Sequence, residues 1–251
     1  MTDTDKRTRQ EATPTTSPRA YIFDFGGTLD TAGCHWARFL SEAYHRCGVP
    51  VGWEPFRQAY VFAERRLDSN NLIEPSFTLR RTLDIKIETE MEWLRTMGYW
   101  YASPAEFATS HAQVLTYIYN KVSEETARNR EVLMRLPQPK VLVTNFYGNM
   151  NAVLAESGLD DLFQAVIESA TAGIRKPDAR IFALGIEALG VEAADVTVVG
   201  DSMKNDILPA KSLGCRTVWL RGEQWDDTAD DVPDAADSVI TSLNELLPHD
   251  E

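Results

Sequence analysis

The sequence is poor in cysteine, histidine and basic residues, and it has no long apolar run. Its three cysteines, Cys34, Cys47 and Cys215, are odd in number and widely spaced among 251 residues. That excludes a disulfide framework, and no metal-ligand spacing appears among them. The simplest reading is reduced thiols in a cytoplasmic protein. The four histidines, His35, His45, His111 and His249, form no triad or metal motif. Lys and Arg total 25 against 38 Asp and Glu, a net charge of −13. This balance argues against broad binding to nucleic acid or to an anionic membrane. It leaves room for a small phosphorylated substrate, because one local pocket can oppose the global field. No segment approaches the roughly 18–20 apolar residues of a membrane span. Residues 1–18 are polar, lack the apolar stretch of a secretory signal, and offer little surface to repay ordering, so a flexible tail is expected.

What is present is ordinary globular material. The chain is 43% hydrophobic and 25% charged, and its length is enough to bury a core without staples. Tyr21 to Phe23 is a short apolar run stopped by Asp24 and two glycines, which predicts a buried strand. From about 32 to 127 the pattern is helical. Trp36, Phe39, Leu40, Ala43, Tyr44 and Cys47 recur at helical spacing before Gly48 and Pro50. Phe56, Tyr60, Ala63 and Leu67 mark a second helix, and residues 78–97 a third. Ser103-Pro104 caps a fourth. Glu131 to Leu136 reads as a return helix.

The pattern then alternates. Short apolar strands are expected at Lys140–Thr144, Ala165–Ile167, Val196–Val199, Arg216–Leu220 and Ser238–Ile240. Helices are expected at Arg180–Leu189, Ile207–Leu213 and Leu243–Leu247. This predicts an α/β fold, a Rossmann-like and mainly parallel sheet with an inserted α-helical bundle. The expected division is a tail at 1–18, a core at 19–31 and 128–251, and a helical cap at 32–127.

In open parallel sheets, ligands bind beyond the carboxyl ends of the strands. Asp24, Thr144-Asn145 and Gly200-Asp201 stand at such ends, and Arg175-Lys176-Pro177 precedes a helix of the same unit. Singly, each is a turn, a cap or a solvated residue. Together they place carboxylates, a hydroxyl, an amide and a cation on one rim. That set suits phosphoryl transfer. A carboxylate can attack, paired carboxylates can hold Mg²⁺, and a lysine can offset phosphate charge.

At these residues the chain resembles the haloacid dehalogenase-like hydrolases that carry a helical cap after the first strand. The resemblance covers residues 19–247. Its motifs are Phe23-Asp24-Phe25-Gly26-Gly27-Thr28-Leu29, Val143-Thr144-Asn145, Arg175-Lys176-Pro177-Asp178 and Val199-Gly200-Asp201 through Asp206. It implies that Asp24 is the nucleophile and a Mg²⁺ ligand. Asp201, Asp206 and the Gly26 carbonyl would complete the metal's protein ligands. Lys176 would steady charge, while Thr144, Asn145 and Gly27 would contact the phosphate. Tyr147, on the loop after the second motif, is a further candidate for substrate contact.

One departure matters. The family's phosphatases carry a second Asp two residues after the nucleophile, as general acid and base, and here that position is Gly26. Such catalysis is worth roughly 10²–10⁴-fold. Slow hydrolysis of alkyl phosphates follows, with less loss on acyl, aryl or anomeric phosphates. Asp30, Cys34 and His35 are the nearby replacements to weigh, and a helix-terminal role for His35 is the plainer reading. The alternatives are a non-catalytic module binding a phosphorylated ligand or a protein partner, a dehalogenase, or a phosphonatase. The last needs a cap lysine, and only Lys86 and Lys121 are offered; a cap lysine is normally solvated. The aromatics Trp36, Trp53, Trp93, Trp100, Tyr99 and Tyr101 are expected mainly in the bundle core, with residues 98–101 as a loop. The acidic run at Asp226, Asp227, Asp230 and Asp231 is expected to be a solvated loop.

Overall fold

The computed structural model describes residues 18–69, 72–225 and 235–248. The expected tail, apart from Pro18, the acidic run from Asp226 to Asp231 and His249 lie outside the described residues. The first strand, β1 (Ala20–Phe23), is buried throughout. Its side chains alternate between two cores, as a two-residue period requires. Tyr21 and Phe23 join one apolar cluster with the helices that follow, and Ala20 and Ile22 join another on the opposite face.

Four helices come next: α1 (Trp36–Arg46), α2 (Trp53–Ser69), α3 (Leu79–Thr96) and α4 (Pro104–Arg135). Helix α4 starts at a capping box, in which Ser103 and Glu106 satisfy each other's otherwise orphaned main-chain N–H groups. It runs unbroken for 32 residues. Glu131 to Leu136 is therefore mostly its last turn and cap, and residue 127 falls inside it. The interior of α4 has no Gly or Pro to stop it after Pro104. Residues 98–101 form the expected turn, in which Trp100 is buried but Tyr101 is 90% exposed.

The remaining strands are β2 (Lys140–Thr144), β3 (Ala165–Glu168), β4 (Val196–Gly200), β5 (Arg216–Leu220) and β6 (Ser238–Ile240). They form one sheet in the order β3-β2-β1-β4-β5-β6, with every neighbouring pair parallel. The fold is the α/β architecture expected from the sequence. Between the strands lie α5 (Met150–Ser157), α6 (Ser169–Ala172), α7 (Arg180–Leu189) and α8 (Leu208–Ser212). Helices α5 and α6, which are short, lie where the sequence pattern predicts no helix. The segment expected as a helix from Ile207 begins earlier, with a wide π turn at Met203–Ile207. The carbonyl of Ser202 accepts from Asp206 and Ile207, and its hydroxyl accepts from the Asn205 N–H. Pro209, lacking an N–H, then fits the first turn of α8. The closing helix is a single 3₁₀ turn at Leu243–Leu246. No helix among the described residues is long and apolar enough to cross a membrane.

Register sets the site. Phe23 is level with Leu142 of β2 and Val199 of β4. The carboxyl ends of the three central strands therefore finish together. The chain leaves β1 for β2 on one side, while β4 flanks it on the other, so ligand-bearing loops diverge at β1.

Candidate active site

Asp24 continues the ladder one residue past β1, where its N–H donates to the Val199 carbonyl at 3.0 Å. Its carboxylate is nearly buried. Lys176, on the loop before α7, donates to Asp24 Oδ1 at 2.5 Å and to Asp206 Oδ1 at 2.7 Å. Thr28 Oγ1 lies 3.4 Å from Asp24 Oδ2 and 3.3 Å from Asp201 Oδ1. Oxygens of Asp24, Asp201 and Asp206 all lie within 4.8 Å of one another, and all three residues are buried. Three carboxylates thus face one ammonium.

The electrostatics follow from that imbalance. Burial pushes the Asp24 carboxyl up to about 6, against the pull of Lys176 and with a push from Asp206. Burial, then the charges of Asp206 and Asp24, raises Asp201 well above the carboxylate range. Burial acts to lower Lys176, but Asp206 and Asp24 outweigh it and raise it above an ordinary lysine. The lysine is therefore a fixed cation.

The residues named from sequence occupy one rim but use different atoms than a motif suggests. Asn145 Nδ2 donates to the Lys176 carbonyl at 3.1 Å, and its Oδ1 accepts from the Lys176 N–H at 2.9 Å. Its side chain thus clamps the lysine's main chain. Thr144 is buried at the end of β2. Gly27 has φ +96°, and a Cβ there would lie 2.4 Å from the Asp201 carboxylate. Only glycine lets the loop pass so close. Its N–H donates to Asp30 Oδ1 at 2.7 Å. Gly26 lines a cavity of about 300 Å³ together with Asn145, Tyr147 and Asp201. Tyr147 reaches across it and donates to Glu64 Oε2 on α2 at 2.8 Å.

The nearby replacements for the missing acid are placed as follows. His35 caps α1, and its Nδ1 accepts from the Ala37 N–H at 3.1 Å. That nitrogen is therefore committed to the helix cap. Burial pushes the Cys34 thiol up to about 12, so it stays protonated. Asp30 is fully buried and also accepts from Trp36 Nε1 at 2.9 Å. Burial pushes it up to about 7, opposed by the Gly27 N–H and by the indole.

Sequence reasoning missed three features. Glu168, at the end of β3, accepts from Gly148 N at 2.6 Å and Met150 N at 3.3 Å, fixing the loop that carries Asn145 and Tyr147. Thr28 bridges two carboxylates. Lys86, expected to be solvated, is 5% exposed and paired with Glu64. Its position was readable. Thr82, Lys86 and Glu90 share the spacing of Leu79, Leu83, Ile87, Met91 and Leu94, so all fall on the buried stripe of α3.

Buried carboxyls make stability depend on pH. Burial also pushes Glu90 up to about 7, opposed by Lys86 and the Tyr44 hydroxyl. In the unfolded chain Asp30 and Glu90 ionise near pH 4, about the ordinary carboxylate value. Between about pH 4 and 7 the native protein therefore holds protons that the unfolded chain has released, and stability falls as pH rises. Asp24 and Asp201 act in the same direction. In chelator, the urea midpoint should drop between about pH 5 and about pH 8, reflecting a loss of roughly a few kcal/mol in unfolding free energy. Glu90→Gln should make that drop smaller. A midpoint that is flat or rises over this window contradicts the burial argument.

Comparison with known proteins agrees with this architecture. A family model described as haloacid dehalogenase-like hydrolase matches residues 18–214. A glyceraldehyde 3-phosphate phosphatase of Pyrococcus furiosus is 26% identical over 207 residues, covering 80% of this chain and 79% of that protein. A phosphoglycolate phosphatase of Neisseria gonorrhoeae is 30% identical over 231 residues, covering 91% of each. Among solved structures, a dehalogenase with an intermediate complex has a TM-score of 0.60 at 19% identity, covering 92% of this chain and 96% of that one. At that identity the likeness shows the shared fold. The parallel sheet, the ordered motifs at its carboxyl rim and the match over most of the chain place this protein in the haloacid dehalogenase-like hydrolase family.

Proposed function

We propose that this hydrolase is a Mg²⁺-dependent phosphatase acting on a small phosphorylated metabolite through an aspartyl-phosphate at Asp24. The observation that carries the reading is the buried group of Asp24, Asp201, Asp206 and Lys176. Three hard oxygen donors sit within one ion's reach and carry more negative charge than Lys176 balances, and burial pushes two of them, Asp24 and Asp201, toward protonation. The donor set fits Mg²⁺, with Asp24, Asp201, Asp206 and the Gly26 carbonyl as the residues that would hold it. When bound, the ion supplies positive charge that lets a phosphate dianion approach a carboxylate.

The chain's own residues do the rest. An Asp24 carboxylate oxygen adds to phosphorus, the P–O bond to the leaving group breaks, and the leaving oxygen departs with a proton taken from solvent. Water then attacks the acyl phosphate, releasing phosphate and restoring Asp24. Lys176 stays an ammonium, neutralising the nucleophile's partner charge and the transferring group. Asn145 holds the Lys176 loop at the rim through its amide, so its side chain acts by positioning. The Thr144 hydroxyl and the loop after β2 are the groups left for phosphate oxygens, with Tyr147 on the leaving-group side. Residues 32–127 serve as the cap over residues 19–31 and 128–251. Cytoplasmic location is the matching reading for a chain whose three cysteines form no disulfide.

Imine chemistry of a phosphonatase is disfavoured by the site. Lys86 is ion-paired with Glu64, and an ammonium has no lone pair for a carbonyl. The test of the phosphatase reading is hydrolysis of an aryl phosphate with Mg²⁺ and with chelator. Turnover should appear with the metal and vanish with chelator. Metal-promoted binding of phosphate without any turnover would instead favour a ligand-binding module.

A further inference from the structure

The cavity above Gly26 has a wall built by the helical insert. Lys86 of α3 is paired there with Glu64 Oε1. Its ammonium lies 4.4 Å from the centre of the Tyr60 ring and 5.9 Å from that of Trp36. The other Glu64 oxygen accepts from Tyr147 at 2.8 Å. One helical turn from Lys86, Glu90 is fully buried, with Oε2 accepting from Tyr44 at 2.9 Å and Oε1 lacking a partner. Despite burial, Lys86 holds the Glu64 carboxyl below its usual range, so the pair is ionised. Arg175, the other cation at this cavity, is matched by Asp68 at 2.6 Å.

This wall therefore offers hydrogen-bond donors and aromatic faces but little net positive charge. Lys86 keeps two N–H groups beyond the one given to Glu64. Phenolic oxygens of Tyr60 and Tyr147 are near. Hydroxyl groups suit such a surface, since each can both accept and donate. A carboxylate does not. It would add a negative charge to a space that already faces three aspartates and the phosphate, with Lys86 of the cap and Arg175 of the core both compensated. The volume of about 300 Å³ is at the low end for ligand pockets, which limits the occupant to a small molecule.

We propose that the Lys86–Glu64 wall selects a neutral, hydroxyl-bearing leaving group, making the substrate a small polyol or sugar monophosphate and not a phosphorylated carboxylic acid. The proposal rests on the phosphatase reading above, but its test does not depend on turnover. The Asp24→Asn protein, loaded with Mg²⁺, is titrated by calorimetry with glycerol phosphate and with phosphoglycolate. Glycerol phosphate should bind about 10-fold or more tightly than phosphoglycolate. Adding Glu64→Gln leaves Lys86 uncompensated and should bring the ratio to near parity or reverse it. Lys86→Gln, which leaves Glu64 uncompensated, should widen it, and this serves where Glu64→Gln does not fold. Equal or tighter binding of phosphoglycolate to the intact wall overturns the proposal. So does a ratio that neither variant moves in protein shown to be folded by its melting curve. Failure of the phosphatase reading shows elsewhere, as absent aryl phosphate hydrolysis, and leaves this ratio readable.

Discussion

Asp24→Asn is expected to lower phosphomonoester hydrolysis by roughly four orders of magnitude or more, the scale of losing a covalent nucleophile. Asparagine keeps the shape and can still accept from Lys176 through its amide oxygen. The amide cannot form the acyl phosphate. Size separates two roles for this residue. Were Asp24 only an electrostatic or metal-holding group, its loss would cost about 10²–10³-fold. A measured loss in that smaller range would therefore remove the nucleophile assignment while keeping Asp24 in the site. The fold should survive. Burial already disfavours the ionised carboxylate, which holds at about 6. Removing it leaves Lys176 paired with Asp206 at 2.7 Å. At neutral pH without metal, the urea midpoint should be unchanged or higher. Acid-quenched wild-type protein should carry phosphate on the peptide containing Asp24, and the Asn variant should not.

Much of this arrangement was legible in the sequence, for a physical reason. A buried parallel strand reads as a short apolar run, and the first polar residue after it stands at the rim. Asp24, Thr144 and Asp201 are located that way by the sequence pattern alone. What could not be read was which atoms each residue uses. Asn145 sits where a phosphate contact was expected, yet its amide is committed to Lys176, 31 residues away. Gly27 gives its N–H to Asp30. Such pairings depend on how loops meet in space, and strand periodicity carries none of that. The wall of Lys86 and Glu64 lies between these cases. The helical stripe of α3 announces that Lys86 is buried, but not that a carboxylate 22 residues earlier neutralises it. The turn at Met203–Ile207, ahead of the helix expected from Ile207, is silent in the sequence for a similar reason. Its wide hydrogen-bond pattern is set by Ser202 at the site and has no periodic signature.

The converse experiment adds what the chain lacks. Gly26→Asp should raise hydrolysis of an alkyl phosphate by roughly 10²-fold or more, within the 10²–10⁴ range of general acid–base catalysis. The same change should alter hydrolysis of an aryl phosphate little, since a good leaving group needs no proton. The site has room. A Cβ on Gly26 would meet Trp36 Nε1 at 3.6 Å and Cδ1 at 3.7 Å, ordinary contacts, and the backbone there is not left-handed. The position faces the cavity shared with Asn145 and Asp201, where the leaving oxygen must lie. Two costs oppose the gain. The Trp36 indole already donates to Asp30 at 2.9 Å, and a second carboxylate competes for that proton. A further negative charge also joins Asp24, Asp30, Asp201 and Asp206 around the single Lys176, so stability in chelator should fall at neutral pH. That same repulsion favours the protonated form of the new side chain, which is the form a general acid must start in. Parallel gains on alkyl and aryl substrates would point to tighter phosphate or metal binding instead. An unchanged alkyl rate in a folded, Mg²⁺-binding variant would show that Gly26 is not what limits proton delivery.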